Sequence, residues 1–133
     1  MYSEKVMKHF LSPQNAYRML DADAEGSLGD PSCGDSLTMF IKVRDNYIEK
    51  ISYLAFGCCA LIAVSSMTTV LAMGEHLNDA LRITEEDVIR ALDGLSPMKQ
   101  HCSNLGVGAL RKAINNYYEA KRQTEILIKE VSR

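Results

Sequence analysis

The sequence predicts an α+β domain in which a small antiparallel sheet of about three strands is packed on one face by helices. One observation is the alternation of apolar side chains between residues 36 and 56, which is typical of two strands joined by a tight turn. A second is the helical spacing of apolar residues at the start of the chain and through its second half. The third is the absence of an internal repeat, so that 133 residues (1–133) fit a single domain.

The hairpin is the clearest element. From Leu37 to Val43 every second side chain is apolar, which predicts a strand with one buried face. Residues 44–46 have turn character, and a second strand is expected to return antiparallel from Tyr47 to Phe56. The apolar pattern does not indicate where in the sequence the third strand lies. Residues 21–35 instead carry few large apolar side chains, and we expect them to form a mobile loop.

Helices are predicted on both sides of the hairpin. A short amphipathic N-terminal helix ends at Ser12-Pro13, and the apolar run from Ala60 to Met73 indicates a buried helix. Residues 84–87 have the form of a capping box at the start of a third helix. The last and longest helix is expected from Ser103 onward, and about 122–133 would form a charged helical tail.

Charge and hydropathy exclude several classes of protein. Fifteen Lys and Arg against seventeen Asp and Glu give a formal net charge of −2, without the basic excess of a nucleic-acid binder. No apolar run reaches the roughly 18 residues of a membrane span. Residues 1–10 resemble neither a signal peptide nor a transit peptide. We therefore expect a cytoplasmic protein that binds neither nucleic acid nor membrane and exists as a monomer or homodimer.

The four cysteines all lie at predicted element boundaries. Cys33 is in the loop before the first strand, Cys58 and Cys59 follow the second strand, and Cys102 begins the last helix. In a reducing cytosol such thiols bind metals, carry out chemistry or pack in the core more often than they form disulfides. A helix N-terminus favours the thiolate, the form that binds metals and attacks sulfur.

Three alternatives remain open at this point. Any single cysteine is as often core filler as ligand, and the spacing contains no C-x-x-C pair of a standard zinc site. A metal or sulfur site and simple packing are therefore evenly balanced. A disulfide between the adjacent Cys58 and Cys59 would be strained.

Three motifs in order carry a resemblance to a known family. Residues 31–35 (Pro-Ser-Cys-Gly-Asp), 56–58 (Phe-Gly-Cys) and 99–103 (Lys-Gln-His-Cys-Ser) resemble the signatures of the IscU/NifU-type iron–sulfur cluster assembly scaffolds. Residues 2–6 also resemble that family's N-terminal segment, and the similarity runs to about residue 121. The His101-Cys102 pair resembles the IscU/NifU branch rather than the SufU branch.

The resemblance implies a carrier protein without catalytic turnover of its own. Such a scaffold accepts sulfur from a cysteine desulfurase together with Fe²⁺, builds a labile [2Fe–2S] cluster and transfers it to recipient apo-proteins. The motif cysteines correspond to Cys33, Cys58 and Cys102, which would bind the cluster, with Asp35 or His101 as the fourth ligand. The same groups can hold Zn²⁺, and Cys102 corresponds to the family's persulfide acceptor.

The resemblance also implies further partners, and the sequence differs from the family pattern at two places. A frataxin-like protein and Hsp70/J-type chaperones are partners in the family, but Leu95-Ser96-Pro97-Met98-Lys99 differs from the usual Leu-Pro-Pro-Val-Lys chaperone segment. Cys59 stands where a small residue is usual, and we interpret it as a buried small side chain rather than a ligand.

Two other functions fit the same residues. A small structural zinc module would hold Zn²⁺ in a tight, closed site. A thiol redox or sulfur-relay protein would use Cys102 or the Cys58-Cys59 pair, although the missing C-x-x-C motif disfavours it.

Overall fold

The computed structural model describes residues 2–30 and 34–131. Its elements follow in chain order: α1 (Glu4–Leu11), β1 (Ala24–Asp30), β2 (Asp35–Arg44), β3 (Tyr47–Phe56), α2 (Cys59–Ala72), α3 (Leu77–Ala80), α4 (Glu85–Ala91), a 3₁₀ turn (Pro97–Lys99) and α5 (His101–Val131). The strands form one antiparallel sheet in the order β1-β2-β3. The predicted α+β class, with a three-stranded sheet, an N-terminal helix and a long C-terminal helix, is confirmed.

Strand β3 has the predicted bounds, whereas β2 extends beyond the predicted Leu37–Val43 at both ends, and the turn between them is a tight reversal. Asp45 and Asn46 both have positive φ angles, 54° and 67°, as a two-residue hairpin turn that matches the strand twist requires. The resulting register places Met39 opposite Tyr53 on one side and opposite Gly26 of β1 on the other. All three residues lie on the face of the sheet that the helices cover.

The mobile loop predicted over 21–35 is wrong for residues 24–30, which form β1. This strand pairs with β2 along its whole length, from Ala24 opposite Ile41 to Asp30 opposite Asp35. Gly26 interrupts the apolar side chains on the face of β1 that α5 covers, because the helix approaches too closely there for a larger side chain. A Cβ atom on Gly26 would overlap the backbone of α5 at Ala109, Lys112 and Ala113.

The helices form a layer over this face of the sheet. Helix α5 crosses β1 and β2, and α2 packs against both β3 and α5. The side chains of α2 are buried around most of its circumference, which is why its sequence is apolar on every side. The central core residues are Leu37, Met39, Ile41, Ile48, Ile51, Tyr53, Ala109, Leu110, Ala113 and Ile114.

The remaining helices differ in how well the pattern predicted them. The capping box is formed at α4, where Thr84 and Asp87 exchange side-chain-to-backbone hydrogen bonds. Helix α5 begins two residues before the predicted Ser103 and continues to Val131, with solvent-exposed side chains from Glu119 onward. The single-turn α3 was not predicted, because four residues are too few for a periodic signal. Within the described ranges, no helix is both long and apolar enough to cross a membrane.

The contact at Gly26 gives a test of the helix layer. Gly26→Ala should lower the free energy of unfolding by about 1–3 kcal/mol, because the new methyl group meets backbone atoms that cannot rotate away. Gly108→Ala is the matched control, since its Cβ would meet only the end of the Leu28 side chain and alanine favours a helix. Chemical denaturation measures both. Equal losses in the two variants would contradict the close approach of β1 and α5.

Candidate metal centre

Four potential ligands meet where β2, α2 and α5 begin. The Sγ atoms of Cys58 and Cys102 lie 3.8 Å apart, and His101 Nε2 lies 3.7 Å from Cys102 Sγ. His101 Nε2 is also 3.8 Å from Asp35 Oδ2. The structure therefore brings together four of the five predicted site residues, from segments far apart in the sequence.

The fifth predicted ligand, Cys33, lies outside the described residues. The strand ends on either side of it are described, and Asp30 pairs with Asp35 across them. The predicted set of three cysteine ligands stays a prediction.

Cys58 occupies the N-cap of α2. Its backbone is extended, with φ −73° and ψ 169°, and its carbonyl accepts hydrogen bonds from Leu61 N and Ile62 N. The Cys58 side chain makes no capping hydrogen bond, and the residue is only half-buried. The backbone thus begins the helix while the thiol is left available to a ligand.

The Asp35 carboxylate occupies space that is free only because residue 57 is glycine. A Cβ atom at this position would overlap the Asp35 carboxylate and the Leu61 side chain. Gly34, just before Asp35, has a φ of +87°, a conformation that side chains other than that of glycine adopt with strain. Both glycines of the predicted motifs therefore serve the placement of one carboxylate.

His101 is oriented by a backbone contact. Its Nδ1 lies 3.1 Å from the carbonyl oxygen of Met98. In the tautomer that donates Nδ1–H to this carbonyl, Nε2 keeps a free lone pair facing Cys102 and Asp35. Orientation of a histidine ligand through its second ring nitrogen is the usual arrangement at metal sites.

Cys102 differs from the sequence-based expectation of thiolate character. The residue is fully buried, and this burial, followed by the nearby Cys58 thiol, raises the pKa of Cys102 from 9.0 to about 12. Lys99 acts in the opposite direction but is the weakest of these influences. Desolvation is the largest of these influences, and a bound cation would act against it by favouring the thiolate.

The two cysteine sulfur atoms are placed to bind the same metal ion, although the described residues do not form a full set of metal ligands. Within residues 2–30 and 34–131, no three His, Cys, Asp or Glu side chains form a group that could hold a metal ion as arranged. The 3.8 Å between the sulfur atoms nevertheless equals the edge of a thiolate tetrahedron, about 3.8 Å for metal–sulfur bonds of about 2.3 Å. Cys58 and Cys102 can thus bind one metal ion with little movement.

The contact between Tyr2 and Cys59 was missed in the sequence. The Tyr2 hydroxyl interacts with Cys59, and this interaction is the largest of the influences that raise the pKa of Tyr2 to about 12. Cys59 is half-buried rather than a core residue. No periodic signal links two residues that are so distant in the chain, so only the docking of the N-terminal segment reveals this pair.

Comparisons with known proteins agree with this architecture. Residues 1–125 match the family model of the NifU-like N terminal domain. The chain belongs to this family. It is 51% identical over 118 residues to the iron–sulfur cluster assembly scaffold protein IscU 1 of Archaeoglobus fulgidus, covering 89% of this chain and 77% of the relative. It is 41% identical over 126 residues to IscU of Aquifex aeolicus, covering 93% of this chain and 80% of that protein.

The chain also matches one longer protein in sequence and two crystal structures in fold. The nitrogen fixation protein NifU of Azotobacter chroococcum is 39% identical over 93% of this chain, which spans 41% of that longer protein. Two crystal structures share the fold at 18% identity. The structure titled as a putative iron–sulfur cluster assembly scaffold protein for the SUF system of Fervidobacterium islandicum has a TM-score of 0.70 over 85% of this chain and 96% of its own. A NifU-like protein of Brucella abortus has a TM-score of 0.69 over 88% and 94%.

The contact between Gly57 and Asp35 predicts a coupled loss of metal affinity. Gly57→Ala should weaken Zn²⁺ binding about tenfold or more, because the methyl group displaces the Asp35 carboxylate. Asp35→Ala should cause a similar loss, and the double variant should be little worse than either one. Competition with a chromophoric chelator measures the affinities, and Gly108→Ala is the remote control. Additive losses would contradict the proposed coupling.

The raised pKa of Cys102 predicts that the metal-free protein loses stability in alkali. Above about pH 9 the unfolded chain releases the Cys102 proton while the folded chain keeps it, so the unfolded state binds fewer protons. The free energy of unfolding should therefore fall as pH rises from about 9 towards 12, by at most about 1.4 kcal/mol per pH unit. Denaturation across this range, compared with Cys102→Ser, measures the effect. Identical pH profiles would contradict the burial of this thiol.

Proposed function

We propose that this chain is a scaffold for iron–sulfur cluster assembly. It accepts sulfur from a cysteine desulfurase together with Fe²⁺, builds a [2Fe–2S] cluster and passes it to apo-proteins without catalytic turnover of its own. The observation that carries the proposal is the meeting of Cys58, Cys102, His101 and Asp35 at one edge of the fold. The family match and the names of its IscU relatives support the same function.

A mixed ligand set suits a cluster that has to leave. Iron–sulfur clusters are normally held by four cysteine thiolates. In this site Cys33, Cys58 and Cys102 supply three, and the fourth ligand is Asp35 or His101. A carboxylate or imidazole is a harder ligand than a thiolate and binds iron less strongly in such a cluster, so an acceptor protein with a fourth thiolate can compete for it.

The exposure of the candidate fourth ligands supports transfer to another protein. The side chains of His101 and Asp35 are 56% and 31% exposed, whereas Cys102 is fully buried. The cluster would thus be anchored on the buried side by Cys102 and open to an acceptor on the side of His101. Zn²⁺ fits the same donor atoms and would occupy the site when iron is absent.

Sulfur delivery would use Cys102 as the persulfide acceptor, with Lys99 in the preceding 3₁₀ turn. The partners proposed beyond the desulfurase are a frataxin-like protein and Hsp70/J-type chaperones, in the cytoplasm. Residue 98 supports a docking role for the segment 95–99, because Met98 is 83% exposed beside the site.

Anaerobic reconstitution tests the function. The purified chain is incubated with Fe²⁺, cysteine and a cysteine desulfurase, and visible and Mössbauer spectra are recorded before and after addition of an apo-ferredoxin. We expect a [2Fe–2S] signature that moves to the ferredoxin. Cys102→Ser should abolish desulfurase-driven assembly, because it removes both a ligand and the sulfur acceptor.

The matched control is Cys59→Ser, which changes the neighbouring thiol that contacts Tyr2. This variant should assemble and transfer the cluster as the unchanged chain does. Retention of one Zn²⁺ throughout, with no cluster formed, would instead identify a structural zinc module. Catalytic thiol turnover that depends on Cys59 would identify a redox protein.

A further inference from the structure

Helices α2 and α5 approach each other closely at Gly106, one turn after Cys102. A Cβ atom at position 106 would lie 2.7 Å from Val64 Cγ1 and 3.0 Å from Thr68 Oγ1, both on α2. All three residues are buried. The spacing of the two helices at this point therefore leaves no room for one additional methyl group.

The two neighbours of Gly106 on α2 are both fixed in place. Val64 is branched at Cβ, and such a side chain has one strongly preferred rotamer in a helix. The Thr68 hydroxyl donates a hydrogen bond of 2.7 Å to the carbonyl oxygen of Val64. At Gly108, by contrast, an added Cβ would meet only Leu28 Cδ1, the end of a flexible side chain. A methyl group at position 106 therefore has to be accommodated by movement of the helices, whereas one at position 108 does not.

Such a movement would separate the two cysteines of the site. Further along α5, the backbone at Ala113 is in close contact with Gly26 of β1. Because β1 holds α5 there, α5 makes room at Gly106 by pivoting about this contact. Gly106 and Cys102 precede Ala113 by about 10 Å and about 16 Å along the helix axis. The displacement is therefore larger at Cys102 than at Gly106, and it carries the Cys102 sulfur away from that of Cys58, now 3.8 Å distant.

We propose that Gly106 determines which cation the Cys58–Cys102 pair prefers. The present sulfur separation of 3.8 Å matches Zn²⁺, whose bonds to sulfur are about 2.3 Å long. A larger cation such as Cd²⁺ forms longer bonds to sulfur and needs sulfur atoms that are further apart. Gly106 is thus a positioning residue that favours the smaller cation without contacting it. The inference rests on the proposed function only in taking Cys58 and Cys102 as ligands of one metal ion.

The relative affinities for Zn²⁺ and Cd²⁺ test this assignment. The affinity of the full-length, reduced, metal-free chain for each cation is measured at one pH by competition with a chromophoric chelator. Gly106→Ala should bind Zn²⁺ at least about tenfold more weakly than the unchanged chain does. Its affinity for Cd²⁺ should fall less, so that the ratio of the two affinities moves at least about threefold towards Cd²⁺. A merely structural role of Gly106 would lower both affinities equally.

Removal of the opposing methyl groups should restore the preference. In the double variant Gly106→Ala/Val64→Ala, the new Cβ no longer meets Val64 Cγ1, so the ratio should return to within about twofold of its original value. Val64→Ala alone leaves a cavity, which lowers the unfolding midpoint but does not push the helices apart, and its ratio should stay unchanged. Gly108→Ala is the matched control on the same helix and should also keep the original ratio.

Circular dichroism shows whether each variant folds. If metal-free Gly106→Ala does not fold, titration with each cation followed by circular dichroism gives the same ratio, because folding then depends on binding. An unchanged ratio in Gly106→Ala, or a shifted ratio that Val64→Ala does not restore, would overturn the role of Gly106. Cluster assembly does not enter this measurement. Failure of the unchanged chain to build a [2Fe–2S] cluster would therefore count against the proposed function alone.

Discussion

The close packing of α5 against α2 is the constraint on which the site depends. It is possible because position 106 of α5 is glycine: a Cβ atom there would overlap Val64 and crowd Thr68 of α2. Four residues earlier, on the same side of α5, Cys102 meets Cys58 at the start of α2. The missing side chain at Gly106 therefore sets the separation of two sulfur atoms one helical turn away.

The same packing gives the site two unlike sides. Cys102 is sealed between the helices, and desolvation keeps it a thiol in the metal-free chain. Asp35 and His101 lie at the rim, held there by the glycine at position 57 and by the carbonyl of Met98. A bound cation would reverse the energetics on the buried side, because it favours the thiolate that burial opposes. Binding of a cation at the site and loss of the Cys102 proton are therefore coupled.

Prediction from the sequence succeeded where a local pattern reports burial. The hairpin over Leu37–Phe56, the buried helix α2 and the capping box at Thr84 were all recognised because a period or a motif repeats within a few residues. It failed at β1, whose composition is that of a loop. There the close approach of α5 requires glycine at position 26, so a contact that fixes the helix layer also interrupts the apolar pattern of the strand.

The sequence by itself determined which chemical groups are present and in what order, because each of the three motifs is a short segment that contains its own candidate ligands. Only the tertiary structure decided which thiol is buried, which is accessible and which contacts Tyr2. The physical reason is that these properties depend on contacts between distant segments, such as Cys58 and Cys102, which are 44 residues apart. The periodicity of a sequence indicates which face of a helix or strand is buried. The reactivity of a thiol depends instead on the individual atoms that packing brings next to it.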